Sequence, residues 1–363
     1  MLDFNNTAHD EILDKIANEQ VICDMDLSGI ELSHMDLSGG VFENVNLRGA
    51  SLYGSNIART SFHNCDMTGC DLTYIELENA FFNDMQLSQA RLEHIDFERV
   101  IMNNCNFAGA SFSKSRMHYC AFQESDVTGA VFEGTDLFRS SFVKAKVGAD
   151  FRKCDLSHVF FANSDLAGIK LKGARLFKTA LVSSSLPEYD FSDLSLEFVQ
   201  FSFSDLHGCN FSNANLKGVN FLKSDLKGSV FTGAHCSQCL FNEADMTQCE
   251  LSEAKLTECM FMKTKLASSV MNKADFSDSL CSEADFSRCQ AADTNFFRAD
   301  LSHADLRHAL FARADFSSSR FFRVLMEGSL MDGAVFSGAI IEDPERERSE
   351  DWPALPDSDE NND

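Results

Sequence analysis

Large apolar residues recur at every fifth position along most of the chain. Residues 283–306 read EADFSRCQAADTNFFRADLSHADL, and Phe286, Phe296, Leu301 and Leu306 fall on this five-residue spacing. We call the residue on the spacing the centre of its unit. A period of five matches neither the 3.6-residue period of a helix nor the two-residue period of a strand. It indicates an internal repeat, which must be explained before any single motif.

The centres cover most of the sequence. They run from Leu27 to Val147 and again from Phe151 to Ile341, which makes 64 units, and 50 of these centres are Leu or Phe. Two positions before the centre, the residue is small in 55 of the 64 units. This pattern predicts that a large and a small residue face inward while the other three face water. One unit cannot bury its own centre, so the units are expected to stack into a solenoid.

A second period indicates how many units form one coil. Aromatic centres recur at every fourth unit, with a methionine in the one gap: Phe42, Phe62, Phe82, Met102, Phe122 and Phe142. Four units per coil, each forming one side of a square, explain this four-unit period.

The A(D/N)Lxx pattern, seen in Ala284-Asp285-Phe286 and Ala304-Asp305-Leu306, resembles the pentapeptide-repeat proteins over residues 22–341. The resemblance implies an all-β fold, a right-handed quadrilateral β-helix with a tight turn after each face. We expect about 16 coils, and at roughly 4.8 Å between paired strands a rod of about 77 Å. Function within this family is diverse, so the resemblance implies the fold much more strongly than the function.

Two places depart from the repeat. Val147 and Phe151 are four residues apart, which predicts a local bend at Gly148 because a one-residue slip moves side chains to the wrong side. In SSSLPEYDFSDLSLEF the spacing survives, but Tyr189 and Leu194 occupy positions meant for small residues, close to Pro187. There we expect a bulge or a bent coil.

The two ends lack the repeat. Residues 1–21 contain Ile12, Leu13 and Ile16 at helical spacing after a candidate cap at Thr7, which predicts a short helix over about 8–18 that covers the first coil. The solenoid is assigned to residues 22–341. Residues 342–363 are acidic and interrupted by proline, and we expect them to form a disordered tail.

Charge and composition exclude several classes. The formal charge of −25 argues against direct nucleic-acid binding. Neither a secretory signal nor an apolar run of membrane-spanning length is visible, so we expect a cytoplasmic protein without membrane contact, and signal-less secretion stays open. Most of the 13 cysteines lie at small or central positions, where a free thiol packs as a small hydrophobe. No catalytic motif appears in the sequence. We therefore expect that the protein is not an enzyme and that it has no cofactor or metal site.

A cluster of bases lies around the four-residue unit at Gly148. Residues 139–178 hold nine bases, including Arg139, against three acids. We call the remaining eight the basic collar: Lys144, Lys146, Arg152, Lys153, Lys170, Lys172, Arg175 and Lys178. The collar is interpreted either as a random cluster of solvent-exposed basic residues or as a docking site for an acidic partner. That partner could be the protein's own acidic tail.

Apolar residues also occur at outward positions toward the C-terminus. Val230, Val270, Leu310 and Leu330 share one face by the four-unit period, although the repeat asks for a polar residue there. The candidates for association, which we call the apolar end, are Phe297, Leu310, Phe322, Leu330, Val335 and Ile340. Either neighbouring coils shield these residues, or they form a patch for a partner. The simplest partner is a second copy in a homodimer through the C-terminal end.

The sequence therefore favours a non-enzymatic protein–protein interaction or scaffold module with protein partners of unknown identity. One alternative is an acidic DNA mimic acting on DNA gyrase or another topoisomerase, as in family members that protect gyrase from quinolones. Duplex DNA carries one charge per about 1.7 Å, roughly 45 over this rod, whereas residues 25–341 carry a net charge of only −12. A further alternative is a bacterial secretion-system component or effector.

Overall fold

A computed structural model describes residues 2–342, with side chains from Thr7 onward. The tail assigned to residues 342–363 lies outside the described residues apart from Glu342. The chain begins with helix α1, Leu2–Ala17, which starts six residues earlier than expected. Thr7 therefore lies inside the helix and is not its cap.

Helix α1 lies against the first coil. Ile12 is fully buried, Ala8 is buried one turn before it, and Ile16 packs against the same core one turn after it. This spacing of four places one stripe of the helix on the solenoid. Leu13 was expected on that stripe, but it is exposed, because it lies one residue away from the buried row.

Twelve three-residue strands follow. They are β1 Val21–Cys23, β2 Val41–Glu43, β3 Ser61–His63, β4 Glu76–Glu78, β5 Phe81–Asn83, β6 Asp96–Glu98, β7 Ile101–Asn103, β8 Arg116–His118, β9 Ala121–Gln123, β10 Ser141–Val143, β11 Phe160–Ala162 and β12 Ala180–Val182. One parallel sheet has the order β1-β2-β3-β5-β7-β9-β10-β11-β12, and a second has the order β4-β6-β8. Each strand pairs with the strand one coil further along, so the fold is a parallel β-solenoid.

The strands do not extend through all of the expected 16 coils. Nine strands stack in the main sheet, which makes about eight turns. Beyond Val182 the coils are joined by single-residue bridges, which keep the four-unit period as far as Arg320 and Ile340. The turns explain the difference. On faces with a single bridge, the residue three after the centre donates to the centre's carbonyl, as Ala50 N–H does to Leu47 O at 3.0 Å and Ser224 N–H does to Phe221 O at 3.1 Å. On a strand face this N–H has another acceptor, as Val45 N–H donates to Cys65 Sγ at 3.4 Å.

Apart from the shortened turn at Gly148, the corners of the described solenoid use a left-handed residue. Two positions after the centre, φ is positive in unit after unit, for example at Gly29 (67°), Lys223 (55°) and His303 (60°). Positive φ at the third residue of a four-residue turn is typical of a type II turn. The chain thus places glycine or, in most other units, a polar residue at the corner, and the apolar centre stays inside.

The core is a set of stacked rings and small side chains. Phe122 and Phe142 stack with ring centroids 4.6 Å apart and planes 4° from parallel, and similar pairs run along much of the rod. Stacked aromatic pairs contribute about 0.5–1.5 kcal/mol beyond burial. Small polar residues donate to the carbonyl of a centre one coil earlier, as Thr60 Oγ1 does to Leu37 O at 3.0 Å. These bonds explain why Ser, Thr and Cys are accepted in the interior.

The four-residue unit shortens one turn without interrupting the pairing. Ala149 N–H donates to Val147 O at 2.7 Å, two residues back instead of three. The left-handed corner residue is the one that is missing, since positive φ occurs at Lys144 and next at Lys153. The sequence distance between paired positions falls by one, as in the strands Ser141–Val143 and Phe160–Ala162. The bend predicted at Gly148 is thus a tight turn.

The second departure does interrupt the pairing. Bridges join Asp150 to Lys170 and Asp190 to Asn210, but Lys170 and Asp190 are not bridged. On the next face, Arg175 and Ser195 likewise lack their bridge. We call this gap, between residues 169–176 and 189–196, the seam. It lies where Tyr189 and Leu194 were expected to produce a bulge or a bent coil.

Candidate interaction surfaces

The basic collar is mostly neutralised by acids of the protein itself. Five of its members form ion pairs, four of them with an acid one coil earlier: Lys144–Glu124 at 3.2 Å, Lys146–Asp126 at 3.6 Å, Arg152–Asp150 at 2.7 Å, Lys153–Glu133 at 2.7 Å and Arg175–Asp155 at 3.5 Å. The cationic side chains are at least half exposed, so solvent screens each pair and it contributes little to stability. The count of nine bases against three acids covered only residues 139–178. It therefore missed the acidic partners Glu124, Asp126 and Glu133, which come earlier in the chain.

Three collar residues remain outside these pairs. Lys178 Nζ lies over the ring of Phe177, 5.2 Å from its centroid. Lys170 and Lys172 are exposed and form no ion pair within the described chain. The ladders also place Lys146 on a different face from Lys170 and Arg175. The collar therefore encircles the rod, and its unpaired positive charge lies at the edge of the seam.

One collar contact changes the acidity of its partner. The Arg152 guanidinium donates to both carboxylate oxygens of Asp150, at 2.7–3.0 Å, and this hydrogen bonding lowers the pKa of Asp150. Asp150 is the residue that directly follows the shortened turn. Arg152 therefore belongs to the local structure at that turn and is less available to a partner than Lys170.

The apolar end is largely exposed, with one correction. Leu310, Leu330, Val335, Ile340 and Phe297 all have exposed side chains. Phe322 was expected to add exposed aromatic area, but only 6% of it is accessible. His303 packs edge-on against its ring at 5.3 Å, and the Arg323 guanidinium lies 5.1 Å from its centroid.

The last described coil exposes centres as well as outward residues. Phe336 stacks on Phe316 at 5.1 Å, yet Phe336 is 38% exposed while Phe316 is fully buried. Ile341 is 66% exposed, and Met326, the centre of another face, is exposed as well. Within the described chain, the N–H groups of Met326 and Phe336 have no acceptor, whereas Phe316 N–H donates to Val335 O at 2.7 Å. Apolar surface and open main-chain groups therefore coincide at this end.

Acids elsewhere on the surface cap turns. Asp126 Oδ1 accepts the N–H of Thr128 at 2.9 Å, and Asp285 does the same for Ser287 at 2.9 Å. Burial by itself would raise the pKa of Asp126, but the hydrogen bonds from Thr128 and the charge of Lys146 together outweigh it, so the pKa is lowered. This supports the interpretation of the acidic position as a turn-forming feature of the fold.

The buried thiols are poor nucleophiles. Burial raises the pKa of Cys70, Cys105 and Cys209 to about 12, and it also raises the pKa of Cys239 well above its ordinary value. A thiol that stays protonated neither attacks nor binds metal readily. Among the described residues, no group of three or more His, Cys, Asp or Glu side chains is placed to hold a metal ion. The described part also has no helix with the length and apolarity needed to cross a membrane.

Family models match most of the repeat region. One, described as pentapeptide repeats (8 copies), matches residues 26–64, 46–84, 65–104, 195–233, 229–267 and 294–322. Another, described as a pentapeptide repeat region, matches residues 95–171. Together they cover more than half of the chain. The chain belongs to the pentapeptide-repeat family. A search of curated proteins found no match.

Solved pentapeptide-repeat structures resemble the chain only at low identity. HetL, involved in heterocyst differentiation regulation in the cyanobacterium Nostoc sp., is 17% identical, with 91% of this chain and 93% of HetL covered and a TM-score of 0.15. QnrB1, a plasmid-mediated fluoroquinolone resistance protein, is 20% identical, with 58% and 85% covered and a TM-score of 0.19. A protein of the Arabidopsis thaliana thylakoid lumen is 22% identical, with 38% and 68% covered and a TM-score of 0.13. These likenesses carry no functional argument for this chain.

Two features of this pentapeptide-repeat protein were missed in the sequence. One is a corner row of rings, in which Phe138, His158, Phe177 and Phe198 contact one another in turn with centroids 5.6, 6.2 and 5.8 Å apart. The signal was present, since these residues recur once per coil just after a centre. The other is a cleft of about 480 Å³ at the seam. The large residues Tyr189 and Leu194 indicated a disturbance in the sequence, but they did not indicate that a cleft would form there.

Proposed function

We propose that this protein is a non-enzymatic interaction module that binds another protein through its C-terminal coil, the simplest partner being a second copy of the chain. The observation that carries the proposal is the exposure of the last coil. Leu330 is 57% exposed and Ile341 is 66% exposed, although centres such as Phe316 are buried throughout the rod. Apolar area that leaves water is the main driving force of protein association.

Two-fold pairing of two such ends explains both exposed elements at once. Leu330, Val335 and Ile340 lie on three successive faces around the last coil, so an end-to-end contact would bring all three to its rim. It would also place the open main-chain edges of two copies close together. The closed, isologous contact also stops after two copies. The rest of the rod would then remain available to hold other proteins.

The test is the mass of the protein in solution. Sedimentation of the full chain, and of a version ending at Ile341, should show dimers, and Leu330→Lys/Val335→Lys/Ile340→Lys should be monomeric. Val21→Lys/Val41→Lys/Ile101→Lys is a matched control, because it charges exposed apolar residues near the other end. A full-length monomer that stays monomeric after truncation would overturn the proposal.

No observation favours the DNA-mimic alternative. Many surface acids are paired with a base on a neighbouring coil, as in Arg313–Asp293 at 2.6 Å and Lys153–Glu133 at 2.7 Å. Such pairs interrupt the uniform negative charge that mimicry of a phosphate backbone requires. We expect purified gyrase to supercoil DNA normally at stoichiometric protein. Inhibition, or protection from a quinolone, would favour mimicry instead.

A further inference from the structure

Four neighbouring coils in the middle of the rod share a surface that carries no acid. Each of the segments 118–123, 138–143, 157–162 and 177–182 turns one corner of the solenoid and continues along a strand of the main sheet, from β9 to β12 in order. Their 24 residues include no Asp or Glu and only two Lys or Arg residues, although the chain contains 56 acids. We call this surface the ring face.

Both of its bases lie over aromatic rings at the corner. The Arg139 guanidinium lies 5.3 Å from the ring centroid of Phe138 and 6.0 Å from that of Tyr119. Lys178 Nζ lies 5.2 Å from the ring centroid of Phe177. Both bases are exposed, and neither forms an ion pair in the described chain. The corner of the ring face is therefore a row of rings with two positive charges fixed on it.

The strand face beside this row carries small, apolar and uncharged side chains. Phe160 is 43% exposed, and Tyr119 at the adjoining corner is 45% exposed. The outward positions on either side of the four centres are occupied by Ala121, Gln123, Ser141, Val143, Phe160, Ala162, Ala180 and Val182. A contiguous exposed surface of this kind is typical of a protein interaction site. An apolar row thus runs along the rod next to the row of rings and cations.

The acids that border the ring face already have partners in the protein. Four of them contact a base or a histidine: Glu98–Arg99 at 2.8 Å, Glu124–Lys144 at 3.2 Å, Asp136–His118 at 2.8 Å and Asp155–Arg175 at 3.5 Å. A fifth, Glu197, lies one coil further and accepts a hydrogen bond from Asn215 Nδ2 at 2.6 Å. Arg139 and Lys178 therefore carry the uncompensated charge of this surface.

The two parallel rows decide which kind of partner fits. A partner must present acidic and apolar side chains next to each other over the four coils, which span about 19 Å at roughly 4.8 Å per coil. A strand lying along the rod would turn only every second side chain toward it, in a single row. An amphipathic helix carries two adjacent stripes along its length. About 13 residues of helix cover the distance, at about 1.5 Å each.

We propose that the ring face binds an acidic amphipathic helix of another protein. The helix lies along the rod with its apolar stripe on the strand face and its carboxylates against Arg139 and Lys178. These bases are two coils, or about 10 Å, apart, which matches acids seven residues apart in a helix. Because the rings already hold both cations in place, little freedom is lost on binding. The inference rests on the proposed function, since it gives the interaction module a second partner site.

The probe is a fluorescent peptide of about 18 residues with adjacent leucine and glutamate stripes, kept helical by a side-chain staple on its third side. Binding is measured by fluorescence anisotropy. The net charge of −25 repels this peptide elsewhere on the protein, so binding must be local. We expect binding that weakens as salt rises. A glutamine–leucine helix, and a scrambled peptide of the same composition, should each bind at least about tenfold more weakly.

Charge variants locate the acidic contact. Arg139→Glu/Lys178→Glu should weaken binding at least about tenfold. Arg288→Glu/Lys217→Glu is the matched control, because it makes the same change at one arginine and one lysine that are exposed and without an ion pair in the described chain. The control should bind the peptide as tightly as the wild type.

Apolar variants locate the other row. Phe160→Ser should weaken binding at least about fivefold, because apolar area then stays in water. Leu280→Ser is its matched control, since Leu280 has the same position in its unit on the same face and is also 43% exposed, but lies outside the ring face. Leu280→Ser should bind normally.

Four results would overturn the proposal. They are no binding of the leucine–glutamate helix to the wild type, equal binding by Arg139→Glu/Lys178→Glu, equal binding of the scrambled peptide, and binding of a fluorescent single-stranded oligo(dT), which would indicate a nucleic-acid site. Leu330→Lys/Val335→Lys/Ile340→Lys, designed to disrupt the C-terminal contact, should bind the helix as the wild type does. Failure of the dimer and failure of this site are therefore distinguishable.

Discussion

The steps at Gly148 and at Tyr189 are two irregularities with opposite effects on the solenoid. At Gly148 the chain loses a residue, and yet all four ladders continue with the spacing shortened by one, as in Asp136–Asp155 and Lys146–Asp165. At Tyr189 the five-residue spacing is kept, and two ladders are interrupted for one coil. The count of residues in a unit is therefore less important for pairing than the size of the residue that points inward.

The difference follows from where each change is placed. The residue missing near Gly148 is a corner residue, and the corner can tighten because it lies outside the packed interior. Tyr189 and Leu194 lie between coils, where the interior is packed to the density of a crystal and extra volume must separate the layers.

The largest expected effect comes from moving the misfit one coil further. Cys209 and Ala214 occupy the positions one coil after Tyr189 and Leu194, and both are fully buried. Cys209→Tyr/Ala214→Leu should open a second seam and lower the free energy of unfolding by about 3 kcal/mol, as measured by urea denaturation. Cys209→Ser/Ala214→Ser keeps small residues and should stay close to wild type. An unchanged unfolding midpoint in the bulky variant would show that volume does not cause the seam.

An intermediate effect is expected at the shortened turn. A Cβ at Gly148 would lie 2.6 Å from Ala167 O, a backbone atom that cannot move aside cheaply. Gly148→Ala should therefore destabilise the protein by about 2 kcal/mol. The exposed change Ala167→Ser should alter the free energy of unfolding by less than about 0.5 kcal/mol. If the two variants changed the free energy of unfolding equally, the tight turn would have space for a Cβ atom at residue 148.

The smallest effect should have the opposite sign. Truncating core side chains usually costs about 2–5 kcal/mol. Tyr189→Ala/Leu194→Ala should instead raise the free energy of unfolding by about 1 kcal/mol, because several main-chain bonds would re-form. Hydrogen exchange at Leu176 and Ser195 should slow at the same time. An ordinary loss of stability without slower exchange would contradict this account.

The repeat made most of the fold predictable from the sequence, because each centre has the same environment. The buried side chains of Phe286 and Leu306 follow from spacing alone, and so does the turn-capping role of Asp285. Surface sites were less predictable. The burial of Phe322 depends on His303, about one coil earlier, and on the rotamer of Arg323. A five-residue pattern records which way a residue points, but not which neighbour covers it.

The seam was predicted only as a disturbance, for a related reason. Tyr189 and Leu194 break the size rule in the sequence, but size alone does not say whether a coil bulges outward or separates from its neighbour. The outcome depends on the hydrogen bond from Leu171 N–H to the Tyr189 hydroxyl, which satisfies a donor that separation would otherwise leave open. Sequence spacing does not contain that contact.

The face next to the seam that keeps its main-chain hydrogen bonds has a mechanical consequence. Residues before it and after it form two stiff arms of nearly equal length, joined near the Leu181–Gln200 bonds. Opening at Tyr189 would swing the arms about that joined side, so the distance between helix α1 and the last coil would change while each arm kept its own pairing. The angle between the arms would then set how far apart two proteins bound to the two ends of the rod are held.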